Sequence, residues 1–336
     1  MSPRTKRKQG LALQIALYSS LLLFVGCAGN AVKAPVHHSS GDQAKTLRHV
    51  QTISSATLGA DLSVKNLFFG RDKVKFGRPV AVGVREDLMM IADADSGVIY
   101  RYNLKNNTMR LVRGSGDKVL GEVTDIYVRK DESFLVTDNL GKRALYFSPA
   151  GKLIRIYQSG PNLSRPIAVS WDEKKNEILV ADEMYSHVVA FDEAGEPKYG
   201  IGGRGIGEGK FRIITDMLKT DDGMYVSDRI ELAVQKLDDQ GRFVRSFGEE
   251  QVVFPTAIAE DKYGRLFVAD KADSKIKVFA DGKMIDVVGR NGYVDGEFRL
   301  ISDMKIQYDR MYLTDSLNGR VQIFDILPPS VAFNAD

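Results

Sequence analysis

Three residue types that often build functional sites are scarce in this sequence. Its 336 residues include one cysteine, one tryptophan and four histidines. The sole cysteine, Cys27, excludes an intramolecular disulfide, because that bond needs two thiols. Histidine-bound metal catalysis lacks a ligand set, because His187 is the only histidine after residue 60. The sequence also has no G-x-S-x-G elbow, so it offers no recognisable serine nucleophile.

Long apolar runs are missing as well. The most apolar stretch, Leu11 to Val25, follows a basic head that contains four Lys and Arg residues. This stretch is shorter than the roughly 20 apolar residues that a membrane-spanning helix needs. A basic head followed by a short apolar run is typical of a secretory signal. The sequence therefore predicts a signal peptide at residues 1–26.

The apolar stretch ends in Phe24-Val25-Gly26-Cys27. This segment resembles the lipobox of bacterial lipoproteins, although Phe24 stands where Leu is usual. The resemblance implies cleavage before Cys27 and a thioether-linked diacylglycerol on its sulfur. The alternative is an ordinary signal peptide followed by a free cysteine. Ala28, rather than Asp, follows the cysteine, which in this family favours the outer membrane in a host that has one. Several acyl chains hold a protein firmly at a bilayer.

An excess of positive charge is confined to the predicted signal peptide. The whole sequence has 47 Lys and Arg against 44 Asp and Glu. Four of these basic residues and none of the acidic ones precede Cys27, so cleavage leaves a balance of −1. We therefore expect no nucleic-acid partner. The stretch 27–60 begins with Cys27, for which the lipobox resemblance implies lipidation. The residues after it mix Ala, Ser, Gly, Lys and Gln without periodicity, which predicts a flexible tether.

The rest of the chain repeats one pattern six times. An apolar strand closes on an aspartate, a turn follows, and a second strand carries a large apolar side chain nine positions later. The closing aspartates, 42 to 46 residues apart, are Asp93, Asp138, Asp182, Asp228, Asp270 and Asp315. A period of roughly 40 to 50 residues with paired strands is typical of a β-propeller, with one four-stranded blade per repeat. We expect the closing aspartates to form turns.

The sixth copy, Asp315 with Asn318-Gly319-Arg320-Val321, resembles the NHL repeat. The other copies match in part, because the Arg position is held by Val98, Arg143, His187, Ala233 and Lys275. The resemblance implies an all-β, six-bladed NHL propeller, which we assign to residues 61–336. No strand follows the sixth hairpin. We therefore expect an N-terminal strand at Leu67-Phe68-Phe69-Gly70 to close the ring.

The predicted inner strands alternate in sequence. Three of them begin with proline and three carry an aspartate: Pro79, Pro166 and Pro255 in blades one, three and five, and Asp125, Asp216 and Asp303 in blades two, four and six. Because inner strands line the axial channel of a propeller, these three carboxylates can converge. In one interpretation they bind backbone N–H groups of their own or the next blade; in a second they hold a hard cation such as Ca²⁺ on the axis. In a third interpretation they contact a ligand together with the rim arginines Arg78, Arg165, Arg212 and Arg299.

Two functions of different classes are compatible with these patterns. In the first, a lipid-anchored propeller is a non-catalytic binding or scaffold platform for a protein, peptide or glycan of the cell envelope. In the second, a metal-dependent lyase or hydrolase acts at the channel mouth through the three inner-strand aspartates. Such activities are implied by the resemblance, since some NHL propellers are lyases that use histidine-bound Zn²⁺. The scarcity of histidine favours the first function. We expect a membrane-anchored monomer on the periplasmic or surface side, with no cofactor unless Ca²⁺ binds.

Overall fold

The described part of the chain forms six antiparallel sheets. The computed structural model describes residues 46–60, 77–112, 120–158, 160 and 163–329. Each sheet within these ranges has four strands. The predicted signal peptide, Cys27 and the predicted closing strand at Leu67–Gly70 lie outside the described residues. None of the helices found in the described ranges is long and apolar enough to span a membrane.

The strands follow one another along the chain in groups of four. The first elements are strand β1 (Leu47–Ser54) and helix α1 (Ser55–Ala60). Blade one contains β2 (Pro79–Arg85), β3 (Leu88–Asp93), β4 (Val98–Asn103) and β5 (Thr108–Val112). Blade two contains β6 (Val123–Val128), β7 (Phe134–Asp138), β8 (Arg143–Phe147) and β9 (Leu153–Tyr157). Blade three contains β10 (Pro166–Asp172), β11 (Glu177–Asp182), β12 (His187–Phe191) and β13 (Pro197–Gly202).

The remaining blades continue this order. Blade four contains β14 (Ile214–Thr220), β15 (Gly223–Asp228), β16 (Ala233–Asp238) and β17 (Phe243–Phe247). Blade five contains β18 (Pro255–Glu260), β19 (Leu266–Asp270), β20 (Lys275–Ala280) and β21 (Lys283–Val288). Blade six contains β22 (Ile301–Gln307), β23 (Arg310–Asp315), a short 3-10 helix (Ser316–Asn318) and β24 (Arg320–Ile326).

The six blades close into a ring. Each inner strand lies beside the inner strand of the following blade, and β22 lies beside β2. The prediction of an all-β, six-bladed propeller is therefore confirmed. Buried apolar side chains fill the space between every pair of neighbouring sheets.

An N-terminal strand completes blade six, as predicted, but it is not the strand that the sequence indicated. Strand β1 pairs antiparallel with β24, from Leu47 opposite Ile326 to Ser54 opposite Arg320. It lies inside the stretch 27–60 that the sequence assigned to a tether. The pairing register shifts between His49 and Gln51, which interrupts the two-residue alternation that marks a strand. Only two of its side chains, Leu47 and Ile53, are buried.

The propeller has two faces that differ in which turns they carry. The inner strands begin at the face that we call the rim face, which also holds the links between blades and the turns between the second and third strands. The inner strands end at the opposite face, the mouth face, which holds the turns between the first and second strands. Backbone hydrogen bonds such as Ala94 N–H to the Arg78 carbonyl join turns and links on the rim face.

Candidate functional site

The three inner-strand aspartates occupy equivalent places on the propeller axis. Asp125, Asp216 and Asp303 are each the third residue of their strand, and all three are buried. The ladder register shifts at this position in each of the three strands. A register shift leaves backbone groups without ladder partners. Side chains supply the missing bonds: Thr137 Oγ1, for example, accepts a hydrogen bond from the Asp125 N–H over 2.8 Å.

Each of these carboxylates binds the inner strand of the following blade. Asp125 accepts a hydrogen bond from the Val169 N–H, Asp216 from the Ile258 N–H and Asp303 from the Val82 N–H, in every case over 2.8 Å. The second oxygen of Asp125 and of Asp216 accepts the N–H of the next residue in its own strand. The first of the three interpretations, bonding to backbone N–H groups, is thus what the geometry shows.

A lysine supplies positive charge among the converging carboxylates. The Lys305 ammonium nitrogen lies 2.7 Å from Asp303 Oδ1 and 2.9 Å from Asp125 Oδ1. The corresponding positions of blades two and four hold Tyr127 and Leu218, so the threefold pattern is broken here. Within the described ranges, no group of three or more His, Cys, Asp or Glu side chains is arranged to hold a metal ion. Lys305 therefore supplies the charge that the sequence interpretation assigned to an axial Ca²⁺.

The cluster of three carboxylates and one ammonium is electrostatically strained. Burial raises the pKa of Asp216 to about 8; Lys305 opposes this shift, and the charges of Asp125 and Asp303 add to it. Burial, against the opposing effect of Lys305, raises the pKa of Asp303 to about 6. Burial alone would lower the pKa of Lys305, but the carboxylates outweigh it and raise that pKa. The pKa of Asp216 is thus raised more than that of Asp303, and Asp216 makes no ion pair with Lys305 in the described structure.

Two connected cavities lie along the axis. The channel cavity has a volume of about 170 Å³ and reaches Asp125 and Lys305. Its wall is formed by the halves of the inner strands that are nearer to the mouth face. The mouth cavity, of about 550 Å³, lies at the mouth face and includes the first turns of several blades. Seven lining residues are common to both: Arg85, Tyr127, Ser170, Leu218, Lys219, Glu260 and Ile306. The space that reaches the axial cluster thus continues to the mouth face.

The four rim arginines are not part of this channel. Their guanidinium groups are directed to partners on the rim face: Arg78 to Asp95 at 3.2 Å, Arg165 to Glu183 at 3.2 Å, Arg212 to Glu231 at 3.9 Å and Arg299 over the Tyr293 ring. The first three side chains are about half exposed. No described contact joins these arginines to Asp125, Asp216 or Asp303. The two halves of the predicted ligand site are therefore two separate groups.

The strand-closing aspartates form turns, as the sequence indicated. Each accepts backbone N–H groups from the link before its blade's inner strand, and five also accept at least one from the following turn; Asp93, for example, accepts from Gly77, Arg78 and Ser96. Arg143 and Arg320 bind the aspartates of blades two and six, as the repeat pattern implies. In blade five the cation is Lys277, not the aligned Lys275. The two positions differ by two residues and so lie on the same side of the strand.

The propeller contains a second histidine that sequence analysis assigned to the tether. His49 lies in β1, where Nε2 is 3.0 Å from Thr52 Oγ1, and burial lowers its pKa. His187 begins β12. Blades three and six are opposite in a ring of six, so these two histidines cannot share a metal ion.

Comparisons with known proteins show that other chains share this fold, but they identify no functional site. No protein-family model matches the chain, and no curated protein matches it. Among solved structures, a Bacteroides thetaiotaomicron protein of unknown function is similar with a TM-score of 0.61 at 15% identity, over 76% of this chain and 71% of that one. A streptogramin B lyase is similar with a TM-score of 0.59 at 11% identity, over 76% of this chain and 96% of that one.

A third similar structure is also named as a lyase. Virginiamycin B lyase from Staphylococcus aureus is similar with a TM-score of 0.57 at 10% identity, over 75% of this chain and 96% of that one. The shared property is the propeller fold. Identities this low do not carry activity from one chain to another, because one fold serves many unrelated functions.

Proposed function

We propose that this protein is a cell-envelope lipoprotein whose NHL-type propeller is a non-catalytic binding platform for a protein, peptide or glycan. The lipobox-like segment before Cys27 supports the anchor, and Ala28 supports the outer membrane. The partial NHL pattern, with Arg143 and Arg320 bound to their strand-closing aspartates, supports the repeat type.

The observation that carries this proposal is the concentration of exposed apolar side chains on the rim face. Ten large apolar side chains on described turns and links of this face are exposed: Leu140, Met184, Tyr185, Ile206, Ile230, Leu232, Val253, Tyr293, Val294 and Leu317. On the turns of the mouth face only two described ones are, Tyr263 and Tyr308. Exposed apolar side chains gathered on one face are typical of an interaction site.

The rim arginines add polar specificity to this apolar face. Arg78, Arg165 and Arg212 are half exposed, and each pairs with an acidic side chain of a neighbouring turn. The pair of Arg78 and Asp95 is exposed on both sides; such a pair contributes little to stability, so a partner can replace Asp95 at small cost. A face that carries both arginines and exposed apolar side chains suits a partner that presents apolar and acidic groups together.

The alternative function, a metal-dependent lyase or hydrolase, has less support. One virginiamycin B lyase is catalytically inactive after replacement of a single histidine by alanine. Here the two described histidines lie in opposite blades, and Lys305 provides the axial charge. Tightly bound metal in the purified protein, lost on Asp216→Ala, would favour this alternative.

The platform is tested by crosslinking the lipidated protein in the envelope of its host and identifying what is recovered. We expect one reproducible partner with the unaltered protein. It should be lost in a Leu140→Asp, Tyr293→Asp variant, because both changes charge the rim face. The matched control is Ile154→Asp, on an outer strand, where the side chain is 50% exposed. Recovery of no reproducible partner, or equal recovery with the rim variant, would contradict the platform.

The anchor is tested separately. Cys27→Ser should move the protein from the membrane fraction to the soluble envelope fraction, because no thiol remains to carry the lipid. Unchanged membrane association of this variant would contradict lipidation at Cys27.

A further inference from the structure

The mouth cavity is a second concave surface, on the face opposite the proposed platform. Its volume of about 550 Å³ lies within the range of about 300 to 1,000 Å³ that is usual for small-molecule sites. Apolar and aromatic side chains form part of its wall, namely Tyr127, Trp171, Leu218 and Ile306. Charged side chains from the first turns of the blades form the rest.

One cation in this wall has no partner. Arg85, the last residue of β2, is half-buried and lines both the mouth cavity and the channel cavity. Its Nε–H is buried and makes no hydrogen bond with the described residues. No carboxylate of the described chain lies within salt-bridge distance of its guanidinium. A buried donor without an acceptor is unfavourable, so an acceptor supplied by a ligand would be bound preferentially.

The other basic side chains of the mouth cavity are all satisfied. Lys130 pairs with Glu173, Lys219 with Asp172 and Asp239, and Lys262 with Asp309. Lys174 donates to the Asp221 carbonyl. Arg85 therefore differs from its neighbours, and the difference lies at the point where the two cavities join.

The axial carboxylates do not prevent an anion from binding at Arg85. The Val82 N–H, bonded to Asp303, lies three residues before Arg85 on the same strand. Three residues of extended strand span about 10 Å. The Lys305 ammonium lies among these carboxylates, so this separation and the positive charge of Lys305 together reduce repulsion of an anion at Arg85.

From these observations we infer that the mouth cavity binds a small organic carboxylate, with its carboxylate on Arg85 and its apolar body against Tyr127 and Trp171. A guanidinium fork matches the two oxygens of a carboxylate. Its pairing would satisfy the unbonded Nε–H, and the aromatic side of the cavity would exclude water from the ligand body. This site is distinct from the rim face, so the outcome of its test does not depend on whether the proposed platform is correct.

The test uses the only tryptophan of the protein as its reporter. Trp171 lines the mouth cavity, and the Arg129 guanidinium lies 3.6 Å from the centre of its ring. Benzoate, and its uncharged counterpart benzamide, are titrated while tryptophan emission is recorded, with isothermal calorimetry as a second readout. We expect saturable binding of benzoate and at least about 10-fold weaker binding of benzamide, because the charged hydrogen bond is lost.

Two variants decide whether Arg85 is responsible. Arg85→Gln should weaken benzoate binding by about 10-fold to 100-fold. Arg85→Lys keeps the charge but loses the guanidinium fork, so its affinity for benzoate should lie between those of the unaltered protein and Arg85→Gln. This variant preserves the test if the glutamine variant does not fold. Arg155→Gln, an exposed arginine on β9, is the matched control and should bind as the unaltered protein does. The inference would be overturned if benzoate did not bind the unaltered protein or if benzamide bound as tightly as benzoate. It would also be overturned if both Arg85 variants bound benzoate as tightly as the unaltered protein does.

Discussion

Neighbouring blades of this propeller meet through two kinds of interface that alternate around the ring. Between blades one and two, three and four, and five and six, the buried apolar side chains are aliphatic or phenylalanine, with no tyrosine among them. We call these the apolar interfaces. Between blades two and three, four and five, and six and one, a buried aspartate binds the next inner strand. We call these the carboxylate interfaces.

The carboxylate interfaces also contain all the buried tyrosines of the described chain. These are Tyr100, Tyr102, Tyr157, Tyr225 and Tyr312. Tyrosine combines an apolar ring with a hydroxyl that needs a partner, as Tyr225 shows by donating to Glu260 over 2.7 Å. The propeller is therefore built from three two-blade units with apolar contacts inside each unit and polar, directional contacts between units.

The difference shows how each kind of interface responds to its surroundings. Burial of aliphatic surface is non-directional and does not depend on pH. A buried carboxylate fixes one strand against the next, but its contribution depends on its protonation. In the interface between blades six and one, the axial aspartate Asp303 pairs with Lys305, which also reaches Asp125 of blade two. That lysine joins two of the three units on the axis.

The largest expected effect comes from removing strand β1, which serves both kinds of interface. Leu47 packs in the apolar interface of blades five and six, and Ile53 packs in the carboxylate interface of blades six and one. Burial of each contributes about 1.5 to 3 kcal/mol. A chain without residues 47–54 also leaves the β24 edge exposed, and we expect its melting temperature to fall by roughly 10 °C or more. Circular dichroism measures this.

A single-residue version separates β1 packing from the deletion itself. Ile53→Ala should cost about 2 to 5 kcal/mol. Val50→Ala, at an exposed position of the same strand, should change stability by less than about 0.5 kcal/mol. If the shortened chain melts as the full chain does, β1 does not close the ring.

The next effect concerns the cation of the carboxylate interfaces. Lys305→Met leaves Asp125 and Asp303 buried without their counter-charge, and breaking a buried ion pair in this way costs about 3 to 5 kcal/mol. Urea unfolding at neutral pH measures the loss. Lys283→Met, on the exposed side of β21, is the matched control and should be almost neutral. A loss below about 1 kcal/mol for Lys305→Met would show that the axial carboxylates do not depend on this lysine.

The smallest expected effect is a difference between the two kinds of interface in how their contribution to the free energy of unfolding depends on pH. The pKa of Asp216 is raised to about 8 in the folded protein and is near 3.8 when the side chain is free. Between these values Asp216 binds more protons in the folded chain than in the unfolded chain, so its contribution to the free energy of unfolding falls as pH rises and levels off near pH 8. Asp216→Asn cannot titrate. Between pH 5 and pH 7 the free energy of unfolding of this variant should therefore fall less steeply than that of the unaltered protein. The two slopes should differ by up to about 1.4 kcal/mol per pH unit.

The control for this prediction lies in an apolar interface. Ile126→Val should cost about 0.5 to 1.5 kcal/mol, by the same amount at every pH, because only apolar volume is removed. Urea unfolding of both variants and the unaltered protein at four pH values gives the comparison. Equal pH slopes for the unaltered protein and Asp216→Asn would show that Asp216 does not retain its proton.

Much of the fold is predictable from the sequence because its signals are local. The six strand-closing aspartates give the number of blades, since each is bonded within its own repeat, as Asp93 is to Ser96. The alternation of proline and aspartate on the inner strands likewise predicts the two-blade unit. The closing strand was placed wrongly because the shift between His49 and Gln51 removes the alternation from β1.

The site was predicted less well, because its geometry depends on the ring. The sequence named Asp125, Asp216 and Asp303 correctly as converging groups, but it missed Lys305, which sits at a position that has Tyr127 and Leu218 in the equivalent blades. It also grouped the aspartates with the rim arginines. Two of these, Arg212 and Arg299, stand four residues before an aspartate, but the described contacts of all four arginines are with side chains of turns and links. Arg85 belongs to no repeated sequence pattern. It could be recognised only in the structure, where its Nε–H lacks a hydrogen-bond partner among the described residues.

The sequence by itself determined the repeat, the turn aspartates and the alternation of the inner strands, because strand patterns and turns are set by residues close together in the chain. Tertiary structure alone decided which N-terminal strand closes blade six and which cation meets the axial carboxylates. Lys305 and Asp125 are 180 residues apart and touch only because the sixth blade closes on the first. The same closure separates the rim face from the mouth face, and so places the apolar turns and Arg85 on opposite sides of the propeller.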